Sequence, residues 1–449
     1  MKKKLFSLST TQMIMLSFIG AILVGSLLLS LPISSATGKS VAYIDALFTS
    51  TTATCVTGLV TLPTFSTWSI FGQIVILFLI QIGGLGIITI MSGLMIAFHK
   101  KIGISDRLLI QDAFNLNTLS GLVKFVKKVI FGTLIIEGLG ALCYMTVFIP
   151  QFGIKGIWYS VFNSVSAFCN AGIDIISADS LCDYATNPII NIVTSLLIIL
   201  GGLGYIVWWD LIRVAKTNKK KKLRNLTLQS KIVLVTTAVL IFGGAVLFFI
   251  FEYNNPLTIK NLSLFDKIQV SFFQSVTTRT AGFASVPQQN LTNASSIVSL
   301  LLMFIGGSPV GTAGGIKTVT IVVIAASAFA AIRSKNEVSL FNRNIPKSAI
   351  TKAISVTSMS FIIMFTSTVL LSAVTDAPAL DIAYETVSAT ATVGLSRNLT
   401  SFLDVWGKII IILTMYLGRV GPISLAIAFN IKKENKNIIK NPTEDICVG

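Results

Sequence analysis

Four glycines, Gly58, Gly172, Gly282 and Gly394, stand 114, 110 and 112 residues apart. A fixed period in a chain this long marks internal repetition. Their surroundings repeat with them. Ten residues earlier come Phe48, Phe162, Phe272 and Tyr384; five earlier come Ala53, Ala167, Thr277 and Ala389; one later come Leu59, Ile173, Phe283 and Leu395. Thirteen before the glycine, the first and last repeats carry Asp45 and Asp381. The chemistry this allows belongs to the backbone. A glycine lets a strand take dihedrals that aim its carbonyl at an axis without a Cβ clash. Four such strands supply rings of oxygens that replace the hydration shell of a monovalent cation. The strands are Val56-Thr57-Gly58, Asn170-Ala171-Gly172, Thr280-Ala281-Gly282 and Thr392-Val393-Gly394. A short half-apolar helix before each would point its partially negative C-terminal end at the same axis. Compared with the Thr-Val-Gly-Tyr-Gly strand of potassium channels, only the first glycine is kept, which predicts a shorter cage with one strong site.

A second glycine register follows the first. Gly83-Gly84, Gly201-Gly202, Gly306-Gly307 and Gly418 lie 25, 29, 24 and 24 residues beyond the first set. In the first two repeats close helix packing accounts for them as well as a pore role does. The third repeat is different. Gly306, Gly307, Ser308, Pro309, Gly311, Gly314 and Gly315 fall within ten positions, too irregular for a helix. Non-helical backbone at membrane depth must be buried in protein or line a water-filled path. The stretch is therefore a candidate gate. Arg419, at the same depth in the fourth repeat, is expected to face it and to bond its carbonyls. Lys317 is either part of this gate or snorkels toward the inner interface.

These segments need spans to hold them, and the composition provides spans. Of 449 residues, 53% are apolar and 12% charged, about half the charge of an average globular protein. That excludes a soluble multidomain chain and a disordered one. Apolar runs at 13–34, 70–98, 129–150, 189–209, 232–251, 297–332, 353–374 and 409–431 are each long enough to cross ~30 Å of hydrocarbon. The first is too long for a cleaved signal core. The expected fold is an all-α polytopic membrane protein. Eight transmembrane helices form four parallel span–pore-loop–span repeats around one pore, as in potassium channels. The repeats cover residues 1–120, 121–225, 226–345 (with the intramembrane gating loop) and 346–449 (with the tail). With both termini in the cytoplasm, 26 of the 35 Lys and Arg residues fall on the inner side, as the positive-inside rule asks. The net charge of +17 is thus a topology signal and not a nucleic-acid footprint.

Charges at membrane depth are functional candidates by default. They are Glu137, Lys317, Glu385 and Arg419. Glu385 and Arg279 lie in neighbouring pore segments as candidate filter supports; one ion pair between them and two separate local bonds are both open. Glu137 is the one mid-span carboxylate, on a peripheral span. An enzyme is not expected: one histidine, His99, and scattered cysteines offer no convergent catalytic or metal set.

The residues resemble a family. Ile44-Asp45-Ala46-Leu47-Phe48-Thr49, Gln81-Ile82-Gly83-Gly84-Leu85-Gly86, Phe304-Ile305-Gly306, Gly315-Ile316-Lys317 and Gly418-Arg419-Val420-Gly421-Pro422 are similar to the Trk/Ktr/HKT superfamily of potassium transporters. The nearest branch is the KtrB/KtrD membrane subunit of bacterial Ktr systems, and the resemblance covers nearly the whole chain. It implies potassium uptake across the bacterial cytoplasmic membrane, stimulated by sodium, by a homodimer with one pore per protomer. It also implies gating by a cytoplasmic KtrA/KtrC-like nucleotide-binding ring, with no cofactor on this chain itself. The basic loop 213–231 and the tail 432–449 are the expected contacts. Plant relatives in this superfamily with serine at the first glycine tend to prefer sodium; Gly58 points to potassium. The alternative is a secondary active cation symporter with its coupling ion at broken helices, which would need inverted repeats and buried carboxylates.

Overall fold

The computed structural model describes residues 10–98, 103–113, 121–216, 225–335 and 337–421. The run Lys219 to Lys222, His99 and the tail lie outside the described residues.

Among the described residues the fold is all-α apart from one two-stranded hairpin, Ser339–Leu340 with Arg343–Asn344. Each of four repeats has a first span, a short pore helix and a second span. The first spans are Thr10–Ser30, Leu122–Phe152, Leu228–Glu252 and Lys347–Val374, all long and apolar enough to cross a membrane. The pore helices are Tyr43–Cys55, Lys155–Cys169, Leu264–Thr277 and Ala379–Ala391. They are half-crossing in length, at 13 to 15 residues and 1.5 Å of rise per residue.

The second spans depart from the sequence expectation. The runs 70–98 and 189–209 are not single straight spans. Ile70–Leu85 and Ile87–Ala97 meet at a 98° bend, and Pro188–Leu203 and Tyr205–Ala215 at 95°. The breaks are at Gly86 and Gly204, with φ of 84° and 86°, a region where an L side chain is strained. Gly421 ends Val405–Val420 with φ 86°. The run 297–332 is split by residues 305–317 into Asn293–Phe304 and Thr318–Ile332. All four second spans begin on a side-chain cap: Ser69, Asn187, Thr292 and Asp404 each accept from a backbone N–H of the first turn, satisfying donors that lipid cannot.

One repeated contact clamps pore helix to first span. Ser50 donates to the Ile22 carbonyl at 2.7 Å, Ser164 to the Glu137 carbonyl at 2.6 Å and Ser275 to the Ile241 carbonyl at 2.7 Å. In the fourth repeat Thr386 shares a hydrogen bond with Thr368 at 2.7 Å. Three residues on, Gly25, Gly140 and Gly244 leave room for the serine and for Leu79, Leu197 and Leu302 of the second span. The clamp lies eight residues before the first-register glycine in repeats 1, 2 and 4, and seven before it in repeat 3. The third pore segment is therefore one residue short. The ten-residue register that selects Phe272 is corrected accordingly: the fully buried counterpart of Phe48, Phe162 and Tyr384 is Phe273.

The clamp gives a test with a control on the same helix. A Cβ at Gly140 would meet Ser164 Oγ and Leu197 within 2.9 Å, whereas at Gly138 it meets nothing within 4 Å. Gly140→Ala should lower stability by about 1–3 kcal/mol through overpacking, and Gly138→Ala should not. Thermal unfolding of the two purified variants in the same detergent distinguishes them.

Candidate pore and its inner loop

Each pore helix ends by turning sharply into its strand. Val56, Asn170, Thr280 and Thr392 hold φ of 55°, 60°, 67° and 50°. Three of these are β-branched, which are outliers in the left-handed region, at about 1–3 kcal/mol each. Hydroxyls one turn back hold the strained strands. Thr52 and Ser388 accept from the Gly58 and Gly394 N–H at 2.9 and 3.0 Å. Ser166 and Thr277 donate to the Ile173 and Phe283 carbonyls at 2.5 and 2.6 Å.

The turns bring the four glycines into one ring. Their φ values are 96°, 65°, 81° and 97°. A Cβ on Gly58 would strike the Ala171 carbonyl, on Gly172 that of Ala281, on Gly282 that of Val393, and on Gly394 that of Thr57. Each approach is tighter than real Cβ atoms make, and the cycle closes in repeat order. Beyond the ring opens a vestibule of about 390 Å³, lined by all four glycines and by Asp174, Asp179, Asn398 and Thr400. Asp174 Oδ1 accepts from the Ile176 and Ser177 N–H at 3.2 and 3.4 Å. Burial pushes its carboxyl up to about 6, against the lowering pull of those bonds.

On the other side of the ring lies the irregular stretch 305–317. Its polar groups are met by the second repeat and by the strand of its own repeat. The Ser308 and Thr312 N–H donate to the Gly202 and Gly201 carbonyls at 2.9 and 3.2 Å, and the Val310 carbonyl accepts from the Tyr205 N–H at 2.9 Å. Thr312 Oγ1 donates to the Phe168 carbonyl at 3.1 Å, and the Gly314 N–H to Thr280 Oγ1 at 3.2 Å. The stretch is thus tied to the bases of the second and third strands. Arg419 donates to the Thr312 carbonyl at 2.8 Å and also to the Gly83 carbonyl.

Lys317 does not snorkel away. Its Nζ donates back to the Ala313 and Gly314 carbonyls at 2.6 and 3.3 Å. Arg279 and Glu385 form no ion pair. Arg279 donates to the Gly306 carbonyl at 3.2 Å, so it holds the start of the stretch and not a strand. Glu385 accepts from Ser396 at 2.6 Å and from Thr400, bracing the chain just past Gly394. Gly83, Gly201 and Gly418 let the second span press on the Thr54, Phe168 and Thr390 carbonyls at the pore-helix ends; Gly84 lies against Cys169. Close packing thus accounts for this register outside the third repeat.

A family model described as "Cation transport protein" (TrkH) matches residues 7–441. This chain belongs to the TrkH family. It is 39% identical to the potassium/sodium uptake protein NtpJ of Enterococcus hirae, covering 100% of this chain and 99% of that one. It is also 39% identical to the Ktr system potassium uptake protein B of Bacillus subtilis, covering 98% and 96%. Its fold is similar to the crystal structure of the potassium transporter TrkH from Vibrio parahaemolyticus, with a TM-score of 0.76, 16% identity, and coverage of 95% and 86%.

Among the residues that position this TrkH-family ring, the clamp serines, the strand-holding hydroxyls and the break glycines Gly86, Gly204 and Gly421 do not emerge from the glycine period alone. A search for small and hydroxyl residues at fixed offsets from the four glycines finds the first two sets in repeats 1, 2 and 4 and misses them in repeat 3, where the segment is one residue short. Asp174 is a further residue that the period does not single out. It stands two residues past Gly172, and its counterparts in the other repeats are Val60, Ala284 and Ser396, so it is the one carboxylate at that position. A titrating carboxylate at the vestibule attracts cations only when ionised, that is, above its raised value. Rubidium uptake below saturation should therefore fall as the pH outside drops through about 6, and Asp174→Asn should remove that step. Initial rates from pH 5 to 8 provide the check.

Proposed function

We propose that this protein takes up potassium through the ring of Gly58, Gly172, Gly282 and Gly394. The observation that carries the reading is the closed cycle in which each glycine abuts the carbonyl before the next one. The carbonyls of Thr57, Ala171, Ala281 and Val393 would form the cage, with Val56, Asn170, Thr280 and Thr392 turning the strands into it. Such oxygens replace water around a monovalent ion. The names of the two relatives support potassium as cargo, and that of NtpJ supports sodium as a second transported ion.

Gly306, Gly307, Ser308, Gly311, Gly314, Gly315, Lys317 and Arg419 would form the gate. The Arg419 bond to Thr312 would hold the loop across the inner half of the pore. The two cations below the ring also raise the barrier to a third. The loop's many glycines give it alternative conformations at low cost. The protein would work as a homodimer in the bacterial cytoplasmic membrane with both termini inside, as the Lys and Arg bias supports. A cytoplasmic nucleotide-binding ring would move the loop through the inner end of Thr318–Ile332; the relatives that are Ktr system proteins support such a partner. The symporter reading gains no support, since the four pore loops enter from one side and Glu137 faces Gln81, not the ring.

The experiment is uptake into proteoliposomes, with rubidium against sodium. Serine at any of the four glycines puts a side chain on a neighbouring carbonyl at positive φ. Each serine variant should lower the rubidium preference severalfold. Wild-type preference in all four would sink the filter assignment.

Arg419→Gln removes the charge and the bond to Thr312 while leaving the strands untouched. It should raise the initial rate severalfold at equal protein, with the rubidium preference kept. An unchanged or lower rate in correctly folded protein rejects the gate.

A further inference from the structure

The clamp between pore helix and first span uses only a backbone carbonyl of the span in repeats 1 to 3, so the side chain at that position is free to vary. In register it is Ile22, Glu137, Ile241 and Thr368. Repeat 2 alone has a carboxylate there, and only 5% of Glu137 is exposed. It sits in the middle of a 31-residue span. No described basic residue pairs with it, since the ion pairs among the described residues are Arg213–Asp210, Arg397–Asp381 and Lys408–Asp45. A carboxyl at this depth is expensive and is kept where it does something that an apolar residue cannot.

Its partners indicate what that is. Gln81 Nε2 donates to Glu137 Oε2 at 3.1 Å. The Cys169 thiol lies 3.8 Å from Glu137 Oε1 and 3.5 Å from Gln81 Oε1. Gln81 belongs to the second span of repeat 1, two residues before Gly83, whose carbonyl accepts from Arg419. Cys169 is the last residue of the second pore helix, next to Asn170, where the strand begins. The triangle therefore joins repeat 1 to the base of the second strand. That strand carries Ala171, whose carbonyl faces Gly58 across the first seam of the ring.

We propose that Glu137 is a positioning residue that fixes the second strand against the first repeat and so sets the ring's discrimination between potassium and sodium. This rests on the filter reading above. A cage of carbonyls discriminates by the number and placement of its oxygens, so a looser second strand costs selectivity before it costs conduction.

The decisive variant is Glu137→Ile, which installs the residue found at this position in repeats 1 and 3 and leaves the Ser164 clamp intact. Rubidium and sodium uptake are measured in proteoliposomes at equal folded protein, together with the unfolding temperature. Glu137→Ile should lower the rubidium-to-sodium ratio about fivefold, the factor one ordinary hydrogen bond is worth. Glu137→Gln keeps an acceptor for Gln81 and should retain most of the ratio. Gln81→Leu should match Glu137→Ile, and the double variant should lose no more than either alone, because one network is being cut. A wild-type ratio in Glu137→Ile, whatever its total uptake, overturns the proposal and leaves a packing role; additive losses overturn it too. Should Glu137→Ile not fold, Gln81→Leu and Cys169→Ala decide, and a wild-type ratio in both is again fatal. The four glycine-to-serine variants are run alongside. If all four keep the ratio, the filter reading has failed; if they lose the ratio while Glu137→Ile does not, only the present proposal has.

Discussion

Four backbones can line one narrow axis only if nothing stands between them. At the ring, a single Cβ on any of the four glycines would overlap the carbonyl of the neighbouring strand. That exclusion propagates outward. The strand must turn abruptly off its helix, so the residue two before each glycine is forced to positive φ even when it is valine or threonine. The strain must be held, which explains the hydroxyls of Thr52, Ser166, Thr277 and Ser388 one turn back. The pore helix must in turn be fixed in depth. The clamp on Ile22, Glu137 and Ile241 does this, and it needs its own glycine to let the helices approach. Small residues at helix contacts in this protein thus follow from the ring by steps.

The third repeat meets the same constraint differently. Its pore helix ends at Thr277 with Thr278 in a right-handed cap, where the other three end directly on a left-handed residue. The missing residue moves Arg279 to the position that Cys55, Cys169 and Ala391 occupy relative to the glycine. A guanidinium is far larger than those side chains. Its partner is the Gly306 carbonyl, freed because the second span is not helical there. The short pore segment, the buried arginine and the broken span are therefore one departure from symmetry rather than three. It falls in the repeat whose second span is interrupted between Phe304 and Thr318.

Much of this is legible in the sequence because it is periodic. The four glycines, the residues before them, the loop of Gly306 to Gly315 and the depth of Arg419 can all be counted along the chain. The count fails where the period slips: it selects Phe272 in place of Phe273 because one residue is missing after the clamp. Bends are harder to read. Gly86 and Gly204 stand among apolar residues that are equally at home in a straight helix, and the bend at Gly204 follows from what the loop demands of its neighbours. A Cβ on Gly204 would meet the Pro309 carbonyl. Polar partners are hardest of all. Nothing in the spacing of Arg279 and Glu385 decides between one ion pair and two local bonds, since that choice depends on which carbonyls the loop leaves free.

How the repeats are fastened bears on which part of the protein can move. Trp158 donates to Gln73 at 2.8 Å across the first seam. The Leu181 N–H donates to the Ala284 carbonyl at 3.0 Å across the second. Arg397 pairs with Asp381 at 2.6 Å and donates to the Gln288 carbonyl and Ser296 across the third. Lys408 pairs with Asp45 at 2.6 Å and closes the fourth. Every one of these lies near the start of a pore helix or in the chain just past a strand, on the vestibule side of the ring. The ion pairs are partly shielded from water, and their geometric role outweighs the modest energy such pairs usually contribute. On the opposite side the described contacts between repeats include the loop, the two carbonyls that Arg419 holds, the Gln81–Glu137–Cys169 triangle and the Tyr416 hydroxyl on the Met15 carbonyl. A ring fastened at one end and bridged at the other by a glycine-rich segment can open at the bridged end while its carbonyls stay in place. That division requires the loop's ties to Phe168 and Thr280 to yield more easily than the seams; single hydrogen bonds from Thr312 and Gly314 are weaker fastenings than the charged contacts of Arg397 and Lys408 at the third and fourth seams.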